Sequence, residues 1–125
     1  MIEREKYDFA LFQEAIPYFI ELLCRRPFLL DFYNISDLSG RTVNPYGVLT
    51  LARKGLNPSF HFHDLPTRMS RRLLVTEFHL GQHKVSIGNV HLESLNNQPT
   101  RERQLGIISS ILSQEASKVV CGDFK

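Results

Sequence analysis

The chain has 125 residues, 42% of them hydrophobic and 22% charged, and its net charge is +2. That size allows at most one domain with a buried core, and the composition is that of a globular protein. No run approaches the ~18 apolar residues of a membrane span, and a charge so near balance gives no bulk argument for nucleic acid.

Residues 7–12 are apolar and aromatic, the pattern of a buried strand, and Glu14 stands at its end. From Ile16 to Cys24 apolar residues recur at helical spacing. Pro17 is tolerated in a first turn, so a helix begins just after Glu14 and ends near Arg25, Arg26 and Pro27. Residues 28–32 read as a second strand. Residues 34–45 hold Ser, Asp, Gly, Asn and Pro and read as a loop. A strand is expected over 46–52 and a weaker one over 60–65. Residues 72–79 and 84–90, joined across Gly81 and Gln82, have the pattern of an antiparallel hairpin. A loop at 96–99 leads to a helix over 100–114, with Leu105, Ile108, Ile111 and Leu112 on one face. The last strand covers 118–121. This order suits an α/β fold, a mixed sheet covered by helices.

Cys24 and Cys121 are far apart and each has an apolar context, so both are expected to be buried free thiols in a reducing compartment. No Cys or His pair has zinc-finger spacing. Residues 1–6 are charged and do not read as a signal peptide. A nuclear or cytoplasmic location is the expectation.

Strand ends are where open α/β sheets place their chemistry. Glu14, at a strand–helix junction, has the oxygen donor that Mg²⁺ prefers, or is a solvated acid beside a helix start. His91 and Glu93 are two apart and share a face on an extended backbone. The histidine suits hydrogen bonding to a phosphoryl oxygen or proton transfer, or is simply satisfied by neighbouring backbone. Asp123 follows Gly122 at the last strand's end; it could orient water or bind metal, or it belongs to an ordinary turn. Arg68, Arg71 and Arg72 cluster, as do Arg101 and Arg103, so a local basic patch facing phosphate is open beside the reading of solvated arginines. His61, His63, His79 and His83 are expected on the surface. There is no Gly-rich phosphate loop and no nucleophile elbow.

Several segments in order resemble the endonuclease/exonuclease/phosphatase superfamily, with the DNase I-like fold. Phe12-Gln13-Glu14 resembles its metal-binding Leu-Gln-Glu, and Tyr46 with Gly47 through Arg53 resembles its glycine-led strand. Met69-Ser70-Arg71-Arg72-Leu73-Leu74, Asn89-Val90-His91-Leu92-Glu93-Ser94 and Arg101-x-x-Gln104-Leu105 resemble one branch, the 5′-tyrosyl-DNA phosphodiesterases. Those enzymes remove topoisomerase tyrosine adducts from DNA 5′ ends. Gly122-Asp123-Phe124 resembles the Gly-Asp-x-Asn motif.

The resemblance implies part of a two-sheet, four-layer α/β/β/α sandwich. It implies Mg²⁺ (or Mn²⁺) on Glu14, catalysis by His91 and Asp123, and substrate contacts from Tyr46, Arg71 and Arg101. The partner implied is a DNA 5′ end or another phosphodiester. Other members act on RNA, sphingomyelin or phosphoinositides. A non-catalytic remnant or interaction module of the same fold is the reading from another class, and an unrelated α/β domain is a third.

The family's Asn-bearing strand before Gln-Glu and its distal Ser-Asp-His motif are not found, and Lys125 stands where Gly-Asp-x-Asn has asparagine. A frame running from AA into an unspliced intron that begins GTAA reads Lys and then stop. An incomplete domain over residues 1–125 is therefore expected, with an exposed apolar sheet open to self-association.

Overall fold

The computed structural model describes residues 7–115 and 117–125; the charged segment 1–6 lies outside the described residues. Two sheets are formed. In the first, β1 (Phe9–Ala15) pairs antiparallel with β3 (Gly47–Arg53), whose other edge takes the short β2 (Tyr33–Ile35). The second runs β4 (Ser59–Asp64), β5 (Arg72–Leu80), β6 (His83–His91), β7 (Ser117–Asp123) in spatial order. Its first two pairings are antiparallel and the last is parallel. A parallel neighbour needs a crossover, and helix α3 (Gln98–Leu112) supplies it.

Alternate residues of a strand face opposite ways, and both sheets use this to bury two faces. Leu49 and Leu51 of β3 join Ile20, Leu23 and Leu29 in one core, from helices α1 (Pro17–Cys24) and α2 (Pro27–Phe32). Leu73, Val75 and Val90 join Ile108 and Leu112 of α3 in a second core. The remaining faces meet between the sheets, where the rings of Phe9 and Phe78 lie 5.0 Å apart. The layers are helix, sheet, sheet, helix, the α/β sandwich expected from the motifs.

One polar group crosses the space between the sheets. Asn89 on β6 is fully buried, and its Nδ2 donates to the carbonyls of Phe12 (3.3 Å) and Leu49 (3.0 Å) and to Thr50 Oγ1 (3.2 Å). Its Oδ1 accepts from Gln13 Nε2 at 2.8 Å. A buried amide is costly unless its hydrogen-bonding capacity is met, and here two strands of the opposite sheet, β1 and β3, meet it.

The structure corrects several expectations. Residues 28–32 are not a strand: Pro27 occupies the first turn of a six-residue helix that buries Leu29, and short apolar runs do not separate the two states. The last helix begins at Gln98, so the loop expected over 96–99 gives way to the helix two residues earlier. Its inward stripe is Thr100, Gln104, Ile108 and Leu112, a strict step of four, which leaves Leu105 exposed. Both cysteines are exposed, not buried, because Cys24 ends a surface helix and Cys121 lies on an edge strand. The expected hairpin is present, and Gly81, with φ +64°, fills the first central position of its two-residue turn.

The loop after β2 is organised by Asp37, which the sequence did not single out. Its Oδ1 accepts from the Ser39 N–H (2.8 Å), the Ser39 hydroxyl (2.6 Å) and the Gly40 N–H (3.1 Å). Its Oδ2 accepts from the Thr42 N–H (2.8 Å) and hydroxyl (2.6 Å). Burial pushes the Asp37 carboxyl up, but these bonds outweigh it and hold it down at about 2. The folded value lies below the ordinary 3.8, so this contribution is complete above pH 3.8 and is lost as pH falls through about 2.

Two predictions follow from these polar anchors. Asp37→Ala is expected to cost roughly 2 kcal/mol at neutral pH, and the gap to the wild type should narrow in urea melts taken between pH 4 and pH 2; a gap independent of pH would refute the assignment. Asn89→Leu removes the bonds to Phe12, Leu49 and Thr50 and leaves the Gln13 amide without its acceptor, at roughly 2–5 kcal/mol, and an unchanged urea midpoint would show that the inter-sheet bonds contribute nothing.

Candidate active site

Glu14 lies near the C-terminal end of β1, where the register with β3 slips between Phe12 and Ala15. Its φ of +55° is left-handed, which costs a non-glycine residue about 1–2 kcal/mol. The slip takes Glu14 out of the strand's regular alternation, and its side chain is 72% exposed. His91 is the last residue of β6 and is only 6% exposed at its side chain. Asp123 is the last residue of β7, directly paired with His91 in the parallel register. Gly122 makes that pairing possible: with φ +156°, a Cβ there would sit 1.7 Å from the Val90 carbonyl oxygen.

Three distant segments therefore converge. Glu14 Oε1 is 3.9 Å from His91 Nδ1, and Asp123 Oδ2 is 3.7 Å from His91 Nε2. Neither is a hydrogen bond, and Nδ1 is buried without a partner. The imidazole thus sits between two carboxylates. Ser94 Oγ lies 3.5 Å from Nε2. Behind it Arg71, itself buried, donates from Nη2 to Ser94 Oγ at 2.8 Å and places its guanidinium 5.6 Å from the Tyr46 ring centre. Burial, and then the Arg71 charge, push the His91 pKa down, while Asp123 and Glu14 push it up; the balance is below 6.5.

A cleft opens on this group, walled by Glu14, Ile16, Tyr46, Met69, Arg71, Ser94 and Leu95. Of the residues expected to touch substrate, Tyr46 and Arg71 line it. Arg101 points elsewhere: its Nη1 donates to the carbonyls of Glu93 (3.1 Å) and Leu95 (2.9 Å). The basic cluster is divided as well, since Arg72 is exposed and 3.4 Å from Asp64 while Arg71 is buried. Glu93 does not share a face with His91, because β6 ends at His91; its carboxylate turns inward to Thr67 and Arg68. Asn89, Ser94 and Thr67 were not assigned roles from sequence. Ser94 and Asn89 flank His91 inside the matched motif, which was the available signal.

For a metal the donors are few. Among the described residues no group of three or more His, Cys, Asp or Glu is placed to hold one. Glu14 offers a single exposed carboxylate, which fits a hard, hydrated cation that completes its shell with water and substrate phosphate. Among the described residues no helix is long and apolar enough to cross a membrane.

The fold these elements build is the DNase I-like fold, over part of its length. Solved structures match it over nearly the whole chain, and TDP2 structures are among them, the branch to which the motifs point. D. rerio TDP2 complexed with a single-strand DNA product is 24% identical, with a TM-score of 0.77 over 98% of this chain and 50% of that one. Truncated Caenorhabditis elegans TDP2 is 24% identical, with a TM-score of 0.78 over 99% of this chain and 52% of that one. The human Nocturnin catalytic domain is 17% identical, with a TM-score of 0.66 over 98% and 53%. The chain thus spans about half the length of these structures. No protein-family model and no curated protein matches it.

The electrostatics of His91 can be checked by NMR titration of its ring protons. The midpoint should lie below 6.5, fall further in Glu14→Gln, which removes a carboxylate favouring the cation, and rise when Arg71 is replaced by Gln. A wild-type midpoint above 6.5 would contradict the burial of the ring.

Proposed function

We propose that this chain carries part of a Mg²⁺-dependent (or Mn²⁺-dependent) phosphodiesterase that hydrolyses DNA 5′ ends bearing a tyrosyl adduct. The observation that carries the reading is the convergence of Glu14 and Asp123 on His91 from the ends of three separate strands, beside a cleft that Glu14 lines. The fold is shared by proteins of differing substrates, including ANGEL2, described as a 2′,3′-cyclic phosphatase. The preference for DNA rests on the His91-Leu92-Glu93-Ser94 and Arg101-x-x-Gln104 motifs, together with the likeness to TDP2 bound to a single-strand DNA product.

In this mechanism Glu14 holds the cation, which when bound neutralises charge developing on the phosphoryl oxygens. Asp123, half exposed, orients a water and accepts its proton as the water oxygen bonds to phosphorus. His91, neutral at pH 7, donates its one N–H to a phosphoryl oxygen and stabilises charge there. The bond from phosphorus to the tyrosine oxygen breaks, and the phenolate, of ordinary pKa ~10, takes a proton from solvent. Arg71 and Tyr46 wall the path of the strand.

Turnover of a 5′-phosphotyrosyl oligonucleotide with added Mg²⁺ tests this. Glu14→Gln should abolish the metal-dependent rate, and His91→Ala should lower kcat by roughly 10²–10³-fold with KM little changed. Full activity in Glu14→Gln would remove that residue from the site. Absence of turnover in the wild-type chain, with DNA binding retained, would favour the non-catalytic module.

A further inference from the structure

The segments that bring Arg71 and Ser94 to His91 are loops, not sheet. Residues 65–71 lead into β5, and residues 92–97 lead out of β6. One buried knot ties them together. The Glu93 carboxylate, 1% exposed, accepts the Thr67 hydroxyl at 2.6 Å on one oxygen and the Arg68 N–H at 2.9 Å on the other. Thr67 Oγ1 in turn accepts the N–H groups of Met69 (2.9 Å) and Arg71 (3.2 Å). From α3, Gln104 accepts the Glu93 N–H at 2.9 Å and donates to the Pro66 carbonyl at 2.9 Å.

We infer that Glu93 is a positioning residue of the candidate site. Through Thr67 it fixes the backbone of Arg71 so that the guanidinium meets Ser94 Oγ and leaves the Ser94 hydroxyl proton free to donate into the cleft beside His91. The inference rests on the reading of His91 and its neighbours as a phosphodiesterase centre, and adds to it a residue that touches neither substrate nor metal.

Four physical points support it. Burial pushes the Glu93 carboxyl up, yet the Thr67 hydroxyl, the Arg68 N–H and the Arg71 charge hold it below its ordinary value, so it is an acceptor on both oxygens. Glutamine is nearly the same shape but presents an NH₂ where the carboxylate has its second acceptor, leaving either Thr67 or Arg68 facing a donor. Arg71 Nη2 donates to Ser94 Oγ, so the serine oxygen is occupied as an acceptor and its hydrogen must point elsewhere. The neighbours within reach on that side are His91 Nε2, at 3.5 Å, and whatever occupies the cleft that Arg71 and Ser94 line.

The test has two arms on the full chain, so that failure of the inference and failure of the phosphodiesterase reading are told apart. The first is the ¹⁵N resonance of Arg71 Nε–H, a buried proton without a partner that should exchange slowly in the wild type. Glu93→Gln should speed its exchange with solvent while the amide spectrum of β1 and β3 is retained. The second is turnover, where kcat should fall roughly 10–100-fold with KM within about twofold, as for a small misplacement of reacting groups. Should Glu93→Gln fail to fold, Thr67→Val, which deletes the linking hydroxyl at equal volume, should give the same two changes, and Thr67→Ser should restore both.

An ordered Arg71 in Glu93→Gln or Thr67→Val, or undiminished kcat in either, overturns the positioning role. If the wild type has no turnover, this chain is not a phosphodiesterase by itself, and the resonance of Arg71 still decides whether Glu93 sets it.

Discussion

A single carboxamide holds the two sheets in register. Asn89 is buried where only its own hydrogen bonds can offset its desolvation, and it finds them on Phe12, Gln13, Leu49 and Thr50. A purely apolar interface between sheets tolerates sliding, because dispersion contacts are many and weak. An amide that must meet particular carbonyls does not, since a slip of one residue would leave both partners unpaired. The site inherits that precision. His91 is two residues beyond Asn89 on the same face of β6, and Glu14 is the residue after Gln13. The bond from Gln13 to Asn89 thus sets the distance between the carboxylate and the imidazole one step further on. The bulge at Glu14 then redirects the side chain that follows the anchor.

The same device recurs in the loops around the site. Asp37 and Glu93 are both buried acids that accept from hydroxyls and backbone N–H groups, Asp37 within its own loop and Glu93 from the loop that leads into β5. A carboxylate satisfied in this way is directional at every bond, which suits holding irregular backbone better than an ion pair does. Asp37 shapes the segment that delivers Tyr46 and Gly47, and Glu93 the segments that deliver Arg71 and Ser94. Tyr46, Arg71 and Ser94 line the cleft together with Glu14.

This division explains what the sequence made legible. The hairpin of β5 and β6 was readable because two β-compatible runs flank a glycine-led turn of two residues. Helix α1 was readable from its spacing and from Pro17. The stretch from Pro27 to Phe32 was not, since five apolar residues carry no period and only the tertiary contact of Leu29 decides. The α3 stripe was misread because burial there follows Thr100 and Gln104, polar residues drawn inward by hydrogen bonds that no hydrophobicity pattern encodes. At the site, Glu14, His91 and Asp123 were legible as strand-end polar residues, and the structure brings them together. Arg101 and Glu93 looked equally chemical in sequence. What distinguishes them is the direction in which each side chain leaves the backbone, which is fixed only once β6 stops at His91.

The three converging residues also differ in burial in a way that bears on their chemistry. His91 is enclosed, while the side chains of Glu14 and Asp123 are 72% and 49% exposed. A carboxylate that must hold a hydrated cation or a water gains from solvent access, because the bound waters need room. An imidazole that must remain neutral and hydrogen-bond competent at pH 7 gains from enclosure, and the Arg71 charge reinforces this. Both carboxylates stand just beyond hydrogen-bond distance of the ring, so neither commits it to one tautomer. With Glu14 Oε1 3.9 Å from Nδ1 and Asp123 Oδ2 3.7 Å from Nε2, both ring nitrogens stay uncommitted to a carboxylate, and either can turn to a phosphoryl oxygen.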